Sequence, residues 1–278
     1  MAEPQDITVR KLHFELPERM DLLNVVAGHP EESVFNVALS LLLPYLEPYL
    51  IRSMHQAKES VKDPGLAADI DGFNGQEGQH YRQHKRFNDV VRQGTQGLEA
   101  YEERLSADYH RFSSQRSLRF NLAYAEGFEA YTSAMALFSL EIGLLERFDP
   151  SAKDLFQWHL MEELEHRTVA FDVYQHVVGN YLYRVFVGLY AQWHMSRWIV
   201  SVADHLLRAN EQRWREEFNG GKGMWARTRP LLWKMLRTLL PRVLKTYLPW
   251  YNPRSARLPA KASELAAHYT ALAKQGAT

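Results

Sequence analysis

An all-α fold is what the sequence predicts, and three observations predict it. Glycine and proline are few, 15 and 12 among 278 residues, and they cluster at a handful of places. Between those clusters apolar residues recur at helical spacing over long stretches. One pattern, Glu-x-x-His, occurs twice, as Glu77 with His80 and as Glu163 with His166. Positions i and i+3 share a helix face, so both side chains can grip one ion. Two such helices, with one Glu from each of two others, supply the ligands of a carboxylate-bridged dimetal centre in a four-helix bundle.

The elements follow in order. Residues 1–31 read as an N-terminal arm with a short alternating piece from Ile7 to Leu16. Residues 32–60 are apolar on most sides and read as a central helix, with a kink expected near Glu47 because Pro48 removes a backbone donor. Asp63-Pro64-Gly65 punctuates, and a second helix covers 66–90. Gly94 and Gly97 mark a bend before a polar connecting helix over 98–111. A third helix covers 115–146 and stops before Asp149-Pro150. Ser151 reads as the N-cap of a fourth, 152–178. These helices make a core over 32–178. A C-terminal helical extension over 179–278 completes a single domain, with helices over 180–217 and 260–275.

Residues 222–247 differ from the rest. Lys222, Arg227, Arg229, Lys234, Arg237, Arg242 and Lys245 alternate with Trp, Leu and Met. Such a stretch suits an anionic membrane surface or an acidic partner. The plainer expectation is that its Leu/Trp face packs on the bundle and its cations face water.

Composition narrows the chemistry. The chain holds no cysteine, which excludes thiolate metal sites, iron–sulfur clusters and Cys nucleophiles, and suits a cytoplasmic protein. Its formal net charge is zero, so bulk attraction to nucleic acid is not expected. The first residues lack the pattern of a signal peptide. There is no His-Glu-x-x-His, no His-Asp dipeptide, no Gly-x-Ser-x-Gly and no P-loop.

Both Glu-x-x-His copies carry a second His in phase. His84 follows the first copy and His159 precedes the second, which extends each stripe. An upstream helix offers a carboxylate for each, Glu47 for Glu77 and Glu129 for Glu163, at the separation of an antiparallel hairpin. Glu126 lies one turn before Glu129 and is the alternative to it. A carboxylate inside an apolar helix, as Glu47 is, costs several kcal/mol or stays protonated, roughly, unless something compensates it. A metal does. The ligands read from this pattern are Glu47, Glu77, His80, His84, Glu129, His159, Glu163 and His166. Glu162, next to Glu163, is a candidate catalytic residue or the partner that fixes a His tautomer. Four carboxylates balance two divalent cations; the oxygen and nitrogen donors suit iron first, then manganese or zinc.

The segments Phe73 to His84, Phe128 to Thr132 and Trp158 to Tyr174 resemble the bacterial family described as predicted metal-dependent hydrolases, which are ferritin-like helical proteins. The resemblance covers most of the chain. It implies a ferritin-like core and the same eight metal-site positions. Over one helix, the His159–Glu163–His166 spacing is also similar to that of the di-iron arylamine N-oxygenases.

Three functions compete at this point. The first is a di-iron oxidase or oxygenase that activates O2 on a hydrophobic small molecule, fed by an electron donor. The second is a two-metal hydrolase, and the third a non-catalytic metal-binding protein. The sequence leaves a homodimer open.

Overall fold

The computed structural model describes residues 7–275. The first six residues of the expected arm and residues 276–278 lie outside that range. The fold is all-α: long helices pack as a bundle, with further helices on the C-terminal side. Among the described residues the only β pairing is an isolated bridge between Val26 and Phe148.

The central helix, α1, spans Pro30–Lys58. Proline at its first position and Glu31 and Glu32 in its first turn suit a helix N-terminus, and His55 and Lys58 suit its C-terminus. It is buried on most sides, and 61% of its most apolar window lies inside the protein. The helix runs on through both Pro44 and Pro48. Pro44 cannot donate to the carbonyl of Ser40; Asn88 Nδ2 does so instead, at 2.8 Å. A side chain thus makes good the backbone bond that the proline removes.

Helix α2, Pro64–Arg92, is antiparallel to α1 across a short turn. Asp63 caps it by accepting from the amides of Gly65 and Leu66. The N-terminal arm lies along α2 in extended form. At Gly75 a Cβ would come within 2.5 Å of the Val9 side chain, so the absent side chain is what lets the arm lie so close. A connecting helix, α3 (Glu99–Gln115), leads to α4 (Leu118–Glu141). Helix α5 spans Pro150–Glu165.

The structure corrects several boundaries. The cap of α5 is Asp149, not Ser151: Pro150 takes the first helical position, so the acceptor must precede it, and Asp149 accepts from Ser151 N at 2.9 Å. The fourth helix is also two helices. It stops at Glu165, turns through His166–Thr168 and resumes as α6 (Val169–Val177). That break lets His166 reach inward at the end of α5 while Val169, Ala170, Val173 and Tyr174 bury against the core. The expected 180–217 helix likewise divides at Asn210 into α7 (Tyr181–Ala209) and α8 (Glu211–Glu217).

Helix α7 packs on α4 and α1. Its closest approach to α4 is glycine on glycine: a Cβ on Gly127 would sit 2.3 Å from the Cα of Gly188. Gly127→Ala is therefore expected to lower Tm by roughly 3–10 °C, the effect of about 1–3 kcal/mol of overpacking. Gly78→Ala meets no atom within 4 Å, and there the better helix former should raise Tm instead. Thermal unfolding of the two variants checks the opposite signs. The remaining elements include short 3-10 turns at Leu144–Arg147 and Pro253–Ser255, α9 (Met224–Lys234), a π turn (Met235–Leu239), α10 (Leu240–Thr246) and α11 (Ala260–Gln275), the last against α5.

Candidate metal centre

Helices α1, α2, α4 and α5 each send carboxylates or imidazoles into one buried space. Two sets of ligand atoms gather there, Glu47 with His80 and His159, and Glu77 with Glu163 and His166. Within each set the atoms lie within 4.8 Å of one another. The sets touch through two carboxylates. Glu77 Oε1 is 3.7 Å from His80 Nδ1 and 3.4 Å from His166 Nε2. Glu163 Oε1 is 3.0 Å from His159 Nε2 and 3.7 Å from His166 Nε2. Each of these carboxylates therefore faces imidazoles of both sets, as a bridging ligand must. Glu129 Oε2 joins the second set at 3.4 Å from His166 Nε2. Glu126 does not: it turns toward Arg184 Nη1, at 2.7 Å.

The strongest mark of a cation site is what these groups lack. Glu47 and Glu129 have no hydrogen-bond partner for either oxygen, although both side chains are buried. Glu77 Oε1, His80 Nδ1, Glu163 Oε2 and His166 Nε2 are equally buried and equally unpartnered. Buried polar atoms without partners are rare because each forfeits its hydration. Here they converge on one space and are all ligand atoms. The residues present fit two divalent cations.

The ring nitrogens turned away from that space are all committed. His80 Nε2 lies 3.1 Å from Glu162 Oε2, and Arg10 Nη1 donates to the other Glu162 oxygen at 2.9 Å. Glu162 thus orients His80 and leaves Nδ1 inward. It touches neither set's centre, so it acts on His80 and not as a ligand. The Gln76 amide nitrogen donates to Thr8 O and Glu165, so its oxygen must accept from His166 Nδ1, at 2.9 Å.

His84, expected as a ligand, belongs to neither set, and both its nitrogens have other partners. Asn88 uses its nitrogen on Ser40 O, so its oxygen accepts from the Ser40 hydroxyl at 2.7 Å. Ser40 Oγ then accepts from His84 Nδ1 at 2.8 Å. His84 Nε2 accepts from His159 Nδ1 at 2.7 Å. The chain of donors runs one way and leaves the Nε2 lone pair of His159 facing the centre. His159 also stacks on His80, with centroids 4.1 Å apart.

Without a cation, protons hold this cluster together. Burial, and then the neighbouring Glu77, push the Glu47 carboxyl well above its ordinary value. Burial and Glu163 push Glu129 up to about 8. Burial opposes charge on His80, but the carboxylates of Glu162 and Glu77 outweigh it and raise the imidazole to about 10. Burial likewise opposes charge on His166, and Glu129 and Glu163 override it. Burial and His80 lower His159, which stays neutral. At pH 7, then, Glu129 and His80 carry protons that a cation must displace. Raised values mean protonated groups below them, so metal affinity should rise with pH up to about 10, most steeply below about 8. Calorimetry in buffers of different ionisation enthalpy should read about two or more protons released per chain at pH 7. Release of none would contradict this ligand set.

Sequence reasoning missed Arg10, Gln76, Ser40 and Asn88. Gln76 adjoins Glu77, but no spacing marks any of the four as support for an imidazole.

No curated protein and no solved structure matches the chain. A family model does, and over most of its length. With the helices and the two His/Glu clusters in place, the match over residues 8–256 assigns the chain to the family described as "Predicted metal-dependent hydrolase".

Proposed function

We propose that the chain is a two-metal enzyme acting on an apolar small molecule. The convergence of unpartnered buried ligand atoms carries the metal half of this reading. The substrate half rests on a cavity of about 60 Å3 that opens beside them. Its walls include Leu39, Leu43, Phe156, Met195 and Ile199, and His159 and Glu163 form part of its lining. Tyr131 and Thr132 line it from α4, and Ser196, on the exposed side of α7, marks its outer end. A molecule there meets the centre on the His159/Glu163 side and meets little else that is polar.

Glu47, His80 and His159 would hold one ion, Glu129 and His166 the other, with Glu77 and Glu163 between them. Two such cations supply a Lewis-acidic pair that activates water and holds an oxygen of the substrate. Around them the protein's own groups hold protons and geometry. Glu162 and Gln76 fix the His80 and His166 rings, and the apolar cavity limits water.

Hydrolysis is the reaction that the family description names, and it is our first reading. O2 activation is the second. It is favoured by the ligand set, a Glu from each of two helices and a Glu-x-x-His from each of two others, which is that of the di-iron carboxylate proteins. The local likeness to the arylamine N-oxygenases points the same way. An oxygenase of this kind needs an electron donor; iron would be its metal, whereas manganese or zinc serves hydrolysis equally well.

The test is elemental analysis of protein from metal-supplemented cells. It is followed by turnover of apolar carboxylic esters and by oxygen-electrode traces of the reduced protein. The first reading expects two ions per chain and ester cleavage unchanged under argon. Oxygen uptake that depends on the metal would replace it with the second. Fewer than about 0.2 tightly bound ions per chain after supplementation would end both, since filled two-metal sites hold near two.

A further inference from the structure

The segment from Phe218 to Ser263 holds ten Lys or Arg residues and no Asp or Glu, in a chain whose formal net charge is zero. Packing of its apolar face on the bundle is the plainer expectation for such a segment, and the structure meets it only in part. Only part of that face docks: Leu231, Met235, Leu239 and Val243 pack against Ala134, Met135 and Phe138 of α4. A second apolar face stays in solvent. Trp225, Leu232, Trp233, Leu236, Leu240 and Leu244 are each 43–61% exposed. Lys222, Arg229, Lys234, Arg237 and Lys245 are exposed as well and make no ion pair among the described residues. Acids satisfy other cations of the segment: Glu31 pairs with Arg227, Glu141 with Arg242 and Asp172 with Arg254.

Helix α7 presents a second apolar row, Leu182, Phe186, Leu189, Trp193 and Val200, spaced to fall on one helix face and 52–75% exposed. The end of α10 abuts its start, where Tyr181 Oη donates to Tyr247 O at 2.7 Å. Unpaired cations among exposed indoles and aliphatic side chains suit one occupant above others, a lipid bilayer with anionic headgroups. The aliphatic groups enter the acyl boundary, the indoles sit at headgroup depth, and the cations meet phosphate.

We propose that the protein docks on anionic bilayers through α9, α10 and the outer face of α7. Two adjoining cavities give this docking a use. Beneath α9, Leu231, Leu232 and Met235 line a second cavity, and two of its wall residues, Phe35 and Met135, also line the cavity beside His159 and Glu163. The two cavities thus share a wall, Phe35 and Met135, between the docking face and the candidate centre. On the two-metal reading, docking would bring an apolar substrate held in the bilayer to that side of the protein.

The test needs no metal and no activity, so it succeeds or fails apart from the two-metal reading. Purified full-length protein is sedimented with vesicles of phosphatidylcholine alone and of phosphatidylcholine with phosphatidylglycerol. Indole fluorescence is followed with brominated lipids. Binding to the anionic vesicles, weakened in 0.5 M salt, and quenching by the brominated chains are expected. Trp233→Glu/Leu236→Glu and, separately, Lys234→Glu/Arg237→Glu should each cut partitioning by about tenfold or more, with circular dichroism unchanged. All four side chains are exposed, so neither variant threatens the fold. Absence of sedimentation with anionic vesicles, or full retention by both variants, would overturn the proposal. So would concentration-dependent self-association abolished by Trp233→Glu/Leu236→Glu without vesicle binding, which would make the face a contact between copies. Capture on a polyanionic resin without vesicle binding would also overturn it and point to an acidic macromolecule.

Discussion

Glu77→Ala and Glu163→Ala should each empty both metal positions at once. Each of these carboxylates faces imidazoles of both sets, so neither ion keeps a complete set of ligands without it. Elemental analysis should fall from about two ions per chain to a small fraction of one, since bound ligands of a closed site act together. His159→Ala should behave differently. It removes a donor from one set only, and at least one ion should remain. The variants carry a second signature. The rise in Tm that metal gives the parent should disappear in both Glu variants. Two ions retained in both Glu variants would defeat the assignment.

Arg10→Ala should have the largest effect on stability of any single substitution near the site. Its guanidinium lies 4% exposed and forks across two carboxylates, with Glu162 at 2.9 Å and Glu165 at 2.7 Å. Its Nε donates to Thr270 of α11 at 2.9 Å. Truncation leaves Glu162 fully buried with the His80 ring but without the guanidinium. Breaking a buried pair in this way costs about 3–5 kcal/mol, or roughly 6–20 °C in Tm for a chain of this size. Arg10→Lys keeps the charge and loses the fork, so it should fall between. If the pair is the cause, Arg10→Ala/Glu162→Gln should lose less than the sum of the two single variants. Metal affinity should drop in Arg10→Ala as well, about 10- to 100-fold, because Glu162 then no longer holds the His80 ring as firmly. Unchanged melting and unchanged metal affinity would show the ion pair to be incidental.

The parts of this structure that are legible in the sequence are those written in local periodicity. The long helices, their sparse breaks and the two Glu-x-x-His pairs all depend on 3.6-residue spacing. So does the partnership of Glu47 with α2, which a hairpin of the right length creates. What was illegible depends on direction and on distance along the chain. His84 and His159 share the stripe of their motifs, but phase does not say which lies nearer the centre. In the fold His159 comes between His84 and the carboxylates. Arg10 arrives from an extended arm some 150 residues from Glu162, and nothing local announces it. The turn at His166–Thr168 contains neither Gly nor Pro, so only the needs of packing create it. The amphipathic pattern of α9 and α10 reads the same whether a face meets core or solvent, and the structure divides it between both.

The relay from Asn88 through Ser40 and His84 to His159 also makes the pair of metal positions unequal. One set offers two imidazoles with Glu47, and the other a single imidazole among carboxylates. Nitrogen-rich sites favour later first-row divalent ions, and oxygen-rich sites favour harder ones. Loading should therefore be sequential, with the first equivalent of zinc or cobalt going to the His80/His159 side. Manganese should prefer the His166 side, so a mixture of the two metals should settle into an ordered heterometallic pair. The polarity of four buried hydrogen bonds would then decide which element sits where.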